Sequence, residues 1–113
     1  MDNIYELSID TLEVKKVEND LQDVVFVVNF SYSAVTQDRA YGEIITTMAS
    51  IPSPDPENFI PFENLSLEQV EGWVEAAVDL SKFREVLDAR IEEKINPPTE
   101  LKKVPWVIIE ENT

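Results

Sequence analysis

The chain contains no histidine, no cysteine and only two glycines, and it sets nine basic residues against 23 acidic ones. Each shortage removes a class of function. Without imidazole or thiolate there is neither a zinc or iron centre of nitrogen and sulfur ligands nor a Cys-His or Ser-His-Asp nucleophile. With Gly42 and Gly72 alone, no glycine-rich loop can cradle a phosphate, and no run of acids matches an Asp-x-Asp-x-Asp-Gly calcium loop. The longest apolar run, Val24 to Val28, is far shorter than the roughly 20 residues that cross a bilayer. Because the chain starts Met1-Asp2-Asn3 without basic residues or an apolar stretch, no secretion signal is expected, and cysteine-free composition is compatible with a cytosolic site of synthesis. A net charge of -14 opposes direct contact with nucleic acid.

What is present suffices for one folded unit. Hydrophobic residues make up 43% of the 113 positions and ten are aromatic, which supports a single domain over 1–113. Its parts are a sheet region (1–50), a proline-rich connector (51–65), a helical region (66–96) and an extended tail (97–113). No internal repeat of 20 to 50 residues is visible.

Period-two alternation marks the first region. From Val24 to Ala34 the even positions are Val24, Phe26, Val28, Phe30, Tyr32 and Ala34, while the odd positions turn polar after Val27. This predicts a central strand with one face covered and the other partly wet. Tyr5, Leu7 and Ile9 alternate with polar residues, and Leu12 and Val14 continue one residue out of phase, so residues 4 to 17 read as one bulged strand or two short ones. Glu18 to Asp23 is turn-like. Val35 to Arg39, a short link without glycine, suggests a type I turn, and Ala40 to Ala49 is a third, poorly alternating strand.

Four prolines, Pro52, Pro54, Pro56 and Pro61, then exclude helix and central strand, leaving a stiff connector pinned by Phe59, Ile60 and Phe62 or a segment recognised by an aromatic groove. Ser66 with Gln69 forms a capping box, and Leu65 faces Val70 as a hydrophobic staple. In the helix that follows, Leu67, Val70, Trp73, Val74, Ala77 and Val78 line one face, and Glu68, Glu71, Glu75 and Asp79 the other. A second helix is expected from about Ser81 to Ile95, ended by Asn96-Pro97-Pro98. The predicted fold is α+β: a three-stranded antiparallel meander, with a fourth strand left open, followed by two amphipathic helices packed on one sheet face.

Charge is regional. Between Arg39 and Lys82 there is no base, yet eight acids lie there: Glu43, Asp55, Glu57, Glu63, Glu68, Glu71, Glu75 and Asp79. The other 15 acids and nine bases leave -6. Three readings compete for this face: a solvated surface that keeps the protein soluble, a docking surface for a basic partner, or an imitation of a phosphate backbone, since carboxylates one helical turn apart approach phosphate spacing. The candidate partner-binding residues are Glu68, Glu71, Glu75 and Asp79 together with Trp106, Val107, Ile108 and Ile109 of the apolar tail. That tail either joins a sheet edge, closes a helix groove through Trp106, or docks on a partner. Carboxylates can act as acids and bases, but no pattern singles out a pair. Neither catalysis, metal nor cofactor is expected.

The segment Phe59-Ile60-Pro61-Phe62-Glu63-Asn64-Leu65-Ser66, the Gly72-Trp73 pair, and the close Ile95-Asn96-Pro97-Pro98 with Pro105-Trp106 resemble a family of small proteins from tailed bacteriophages of marine and cyanobacterial hosts. The likeness covers roughly the second half and departs at the weaker amino-terminal match and the Val107 to Thr113 extension. It implies a protein acting in the host cytoplasm during infection or in the virion. Its partner would be a phage structural protein, which it decorates or attaches to, or a host protein with a basic surface, which it inhibits. Neither nucleic acid nor membrane is implied as a direct partner, and homo-oligomerisation is open.

Overall fold

The central strand is the longest apolar segment of the chain, and the rest of the molecule is arranged around it. The computed structural model describes residues 2–106. Strands β1 (Ile4–Glu18), β2 (Leu21–Val35) and β3 (Gly42–Ser50) form an antiparallel meander in the order β1-β2-β3. Helices α1 (Leu67–Ala77) and α2 (Leu80–Ile95) follow, so the architecture is α+β with both helices on one sheet face. Among the described residues there is no fourth strand.

Alternation in β2 places Val28, Phe30, Tyr32 and Ala34 toward the helices, where they meet Ala49 of β3, Val70 and Val74 of α1, and Leu87 and Ile91 of α2. Phe30, Val74 and Leu87 are fully enclosed, and burial of each side chain contributes about 1.5–3 kcal/mol. Cross-strand partners bring Tyr5, Leu7, Ile9, Leu12 and Val14 of β1 to the same side.

β1 is one bulged strand. Its register with β2 shifts between Ile9 and Thr11, which restores Leu12 and Val14 to the core side despite the odd spacing after Ile9. It shifts again between Glu13 and Val14, where the extra residue is Phe26 of β2 and Val25 takes the core position. Asp10, the extra residue at the first shift, accepts a hydrogen bond from Ser31 Oγ at 2.7 Å.

The link from β1 to β2 is shorter than the turn-like sequence suggested. Glu18 pairs with Leu21, so only Asn19 and Asp20 lie between the strands, with φ of 50° and 68°. Left-handed backbone at both positions matches strand twist in a two-residue hairpin, and Asn and Asp tolerate it better than other side chains with a Cβ. The β2 to β3 link closes through Arg39 N–H on the Thr36 carbonyl at 2.8 Å, with Arg39 itself at φ 62°.

After β3 the connector runs through two short 3-10 turns, Pro56–Asn58 and Phe62–Asn64. Phe59 and Ile60 are half-buried as expected, whereas Phe62 is more exposed, at 40%. The capping box forms as predicted: Gln69 N–H donates to Ser66 Oγ at 3.3 Å and Ser66 N–H to Gln69 Oε1 at 2.9 Å. α1 stops at Ala77, and Asp79 starts the second helix rather than extending the first. α2 ends at Ile95, before Asn96-Pro97.

Polar contacts also join α2 to the sheet, at β3 through Lys94 and at β1 and β2 through Asp88 and Arg84. Asp88 of α2 accepts from Tyr5 OH at 2.7 Å and from Asn3 Nδ2 at 2.8 Å, while Arg84 Nε donates to Tyr32 OH at 2.8 Å and its guanidinium lies 4.8 Å from the Tyr5 ring centre. Burial, and then the hydrogen bond to Asp88, push the Tyr5 phenol up to about 12. At neutral pH Tyr5 is therefore a fixed donor that fastens α2 to β1.

Candidate functional site

The direction in which α1 buries its apolar residues decides which of its acids reach solvent. Val70 and Val74 point inward, leaving Glu68 and Glu75 exposed and Glu71 half-buried on the same side, three and four residues apart. None of the three forms an ion pair among the described residues, where the pairs are Lys15 with Glu18, Lys94 with Glu43 and Lys102 with Glu100. Leu67 and Ala77, expected on the apolar face, are exposed as well, because they occupy the end turns and overhang the sheet contact.

Asp79 leaves this stripe. It is the N-cap of α2, and its Oδ1 accepts from the Ser81 N–H at 3.0 Å and from the Ser81 hydroxyl. The Ser81 bond holds its carboxyl below the usual range. The acidic run on α1 is thus three carboxylates, the fourth being committed to starting a helix.

Trp106 is 73% exposed in a turn with Pro105, so it closes no helix groove. Residues 97–106 are exposed throughout. Val107, Ile108 and Ile109 lie outside the described residues, and no hydrogen bond or ring contact joins Trp106 to α1 among those described.

Next to the acidic helix lies a cleft of about 500 Å³ between the start of β2, the connector and α1. Trp73, Phe59, Ile60, Leu65, Val24 and Val25 supply its apolar lining, with Asp23, Asp55 and Asn58 among its polar groups. Asp55 is held in place by local bonds: Oδ1 accepts from Glu57 N–H at 3.0 Å and Oδ2 from Asn58 Nδ2 at 3.1 Å. The prolines that deny the connector regular hydrogen bonds also prevent Phe59 and Ile60 from sinking fully into the core. An apolar pair in a proline-rich stretch followed by a tryptophan on a helix is the signal the sequence offers, but by itself it points to a pinned connector and not to a cleft.

A second hollow, of about 590 Å³, lies over the Tyr5–Asp88 contact, bordered by Asn3, Tyr41, Ile91 and Ile95. Its polar groups bind one another and serve as a clamp. Among the described residues no three carboxylates converge in a way that could hold a metal ion, and no helix is long and apolar enough to cross a membrane.

Residues 3–106 match the model of a domain of unknown function, DUF7936. The chain belongs to this family. No curated protein and no solved structure matches it. The DUF7936 match takes in the sheet, the connector and both helices, so the cleft and the α1 carboxylates of this chain lie within the matched span.

Proposed function

We propose that this DUF7936 protein works without catalysis, as a subunit that binds another protein. The observation that carries this reading is an apolar cleft built on Trp73, Phe59 and Ile60 with Asp23 and Asp55 in its lining, beside a helix whose other side carries Glu68, Glu71 and Glu75, none of them ion-paired among the described residues. Such a site accepts a segment that offers an aliphatic or aromatic anchor flanked by Lys or Arg. The anchor is desolvated in the cleft, and its flanking basic groups meet Asp23 and Asp55 in the lining or reach around α1 to its carboxylates.

The resemblance to tailed-phage proteins gives the partner a place: a component of the virus particle, to which this chain attaches as a decorating or tail-associated subunit. The alternative is a small inhibitor of a basic host protein. Commitment of Asp79 to capping shortens the phosphate-like run to three carboxylates, which favours the assembly reading over mimicry of nucleic acid.

Mass spectrometry of purified particles tests the assembly reading. Stoichiometric presence is expected, and absence from particles overturns it in favour of the inhibitor. Changing Glu68, Glu71 and Glu75 together to Gln is expected to abolish capture of the partner at low salt, and unaltered capture would remove the acidic face from the interface.

A further inference from the structure

We propose that β3 pairs with β3 of a second copy of this chain across a two-fold axis, joining two meanders into one continuous antiparallel sheet. The surface is distinct from the acidic cleft, and the inference does not rest on the function proposed for that cleft.

Backbone geometry identifies the hydrogen-bonding groups of β3 that face away from β2; among the described residues one of them, the Gly42 carbonyl, is taken by Lys94. The β2–β3 register runs without a shift from Val27 opposite Ser50 to Val35 opposite Gly42. Two further bonds continue it at either end, Thr36 N–H to the Tyr41 carbonyl and Ile51 N–H to the Phe26 carbonyl, both 2.9 Å. In an antiparallel ladder the N–H and C=O of one residue point to the same side, and successive residues alternate. Tyr41 and Ile51 point to β2, so Glu43, Ile45, Thr47 and Ala49 do too. The main-chain groups of Gly42, Ile44, Thr46, Met48 and Ser50 therefore project from the outer edge. Lys94 Nζ supports this parity by donating to the Gly42 carbonyl at 2.7 Å from outside the ladder.

The two edges of the sheet are protected very differently. β1 carries a bulge at Asp10 and the charged residues Glu6, Asp10, Glu13, Lys15, Lys16 and Glu18, the devices by which edge strands resist pairing. β3 has no proline, no lysine and no register shift, and its one charge, Glu43, is held by Lys94 Nζ at 2.6 Å. An unshifted edge with five outward residues and no unpaired charge is a template for another strand.

The occupant follows from the residue order. Antiparallel pairing centred on Thr46 sets Thr46 against Thr46 of the second copy and Ile44 against its Met48, while Glu43 meets Ala49 rather than another acid. Ile44 and Met48, 56% and 60% exposed, lie on the face away from the helices, so the seam gathers both pairs into one apolar row. Gly42 and Ser50, at the ends, are small. No like charges oppose one another in this register, and the strand is complementary to itself. Because each copy carries -14, mutual repulsion opposes association and salt relieves it, the reverse of an acid-to-base contact.

Sedimentation of the full chain across a concentration series, at about 0.05 M and about 0.5 M sodium chloride, reads the state of association. A dimer favoured by concentration and by salt is expected. Thr46→Pro, which removes an outward N–H without touching the β2 ladder, is expected to yield monomer with an unchanged circular dichroism spectrum. Should that variant fail to fold, Thr46→Cys tests the register directly in a chain that has no other cysteine. In this hydrogen-bonded pair the Cβ atoms lie about 5.5 Å apart, beyond the roughly 3.5–4.5 Å of a relaxed disulfide, so a short bis-maleimide is expected to give a covalent dimer of Thr46→Cys and none of Ser8→Cys on β1. Monomer under every condition, or a dimer that Thr46→Cys does not cross-link, overturns the proposal. So does a full chain that is monomeric while a version ending at Trp106 dimerises, because its own tail would then occupy the edge.

Discussion

Phe30 and Ser31 are neighbours on β2 and belong to different worlds. Phe30 faces the helices, fully enclosed, with the Phe83 ring stacked 6.0 Å away. Ser31 faces the uncovered side, where its hydroxyl donates to Asp10 at 2.7 Å and lies 3.1 Å from the Thr46 hydroxyl. One face of the strand thus carries the apolar burial that holds the molecule together. The other is a flat surface of Ser, Thr and Asn with Ile44 and Met48 at its border. A sheet with one solvated face folds as soon as its apolar face is covered, and what happens on the second face is left to function.

The comparison can be broken most severely from the helix side. Phe30→Ala is expected to cost about 3–5 kcal/mol, a large part of the total stability of a domain this size, and thermal melting would show partial or complete loss of the cooperative transition. Next in size is the polar fastening of the same face. Tyr5→Phe removes a hydrogen bond to a carboxylate and is expected to cost about 1.5–3 kcal/mol by urea denaturation near pH 7.

The pH dependence of that bond has a definite sign. Folding raises the Tyr5 phenol from an ordinary value of 10.0 to about 12, so its contribution is complete below pH 10 and is lost as pH rises toward 12, where the folded protein must also release the proton. Wild-type stability is expected to fall across that interval, and Tyr5→Phe to flatten that part of the profile. On the opposite face, Ser31→Ala is expected to cost about 1 kcal/mol, measured the same way. Smallest of all, Ser33→Thr on the uncovered side should stay within about 0.5 kcal/mol, and a larger loss there would mean that this face takes part in holding the monomer together.

Much of this asymmetry was legible in the residues themselves. The alternation from Val24 to Ala34 specifies the covered face from Val28 onward, because side chains on a strand leave its two sides in strict turn. At its start Val25 replaces Val24 and Phe26 in the core cluster, because Phe26 is the extra residue of a register shift. The phase slip after Ile9 specifies a bulge for the same reason. Ser66 and Gln69 specify a helix start through bonds that span three residues. The connections were less legible. Asn19-Asp20 forms a tight hairpin only because β1 and β2 pair as far as Glu18 and Leu21, and that pairing depends on the core contacts farther along both strands. Asp79 continues the spacing of Glu68, Glu71 and Glu75 on paper, yet α1 stops at Ala77 and Asp79 caps the next helix. Periodicity alone does not reveal a break between two helices when the residue at the break suits either role.

The candidate site divides along the same line. The carboxylates of α1 were visible in the sequence as an acid-only interval, and the structure places three of them on one side of one helix. The cleft beside them was not visible as a cleft, since Val24, Phe59 and Trp73 lie on three separate segments that only packing brings together.

By itself the sequence determined the chemistry that is absent, the α+β order, the covered face of β2 and the concentration of negative charge, all of which depend on composition or on interactions a few residues apart. Only the tertiary structure decided where α1 ends, that the connector stands over a cleft, and that β1 is protected along its length while β3 is held only at its Gly42 end, by Lys94. An edge or a cleft is a relation between segments distant along the chain, and it exists only when burial of a shared apolar surface has brought them into register.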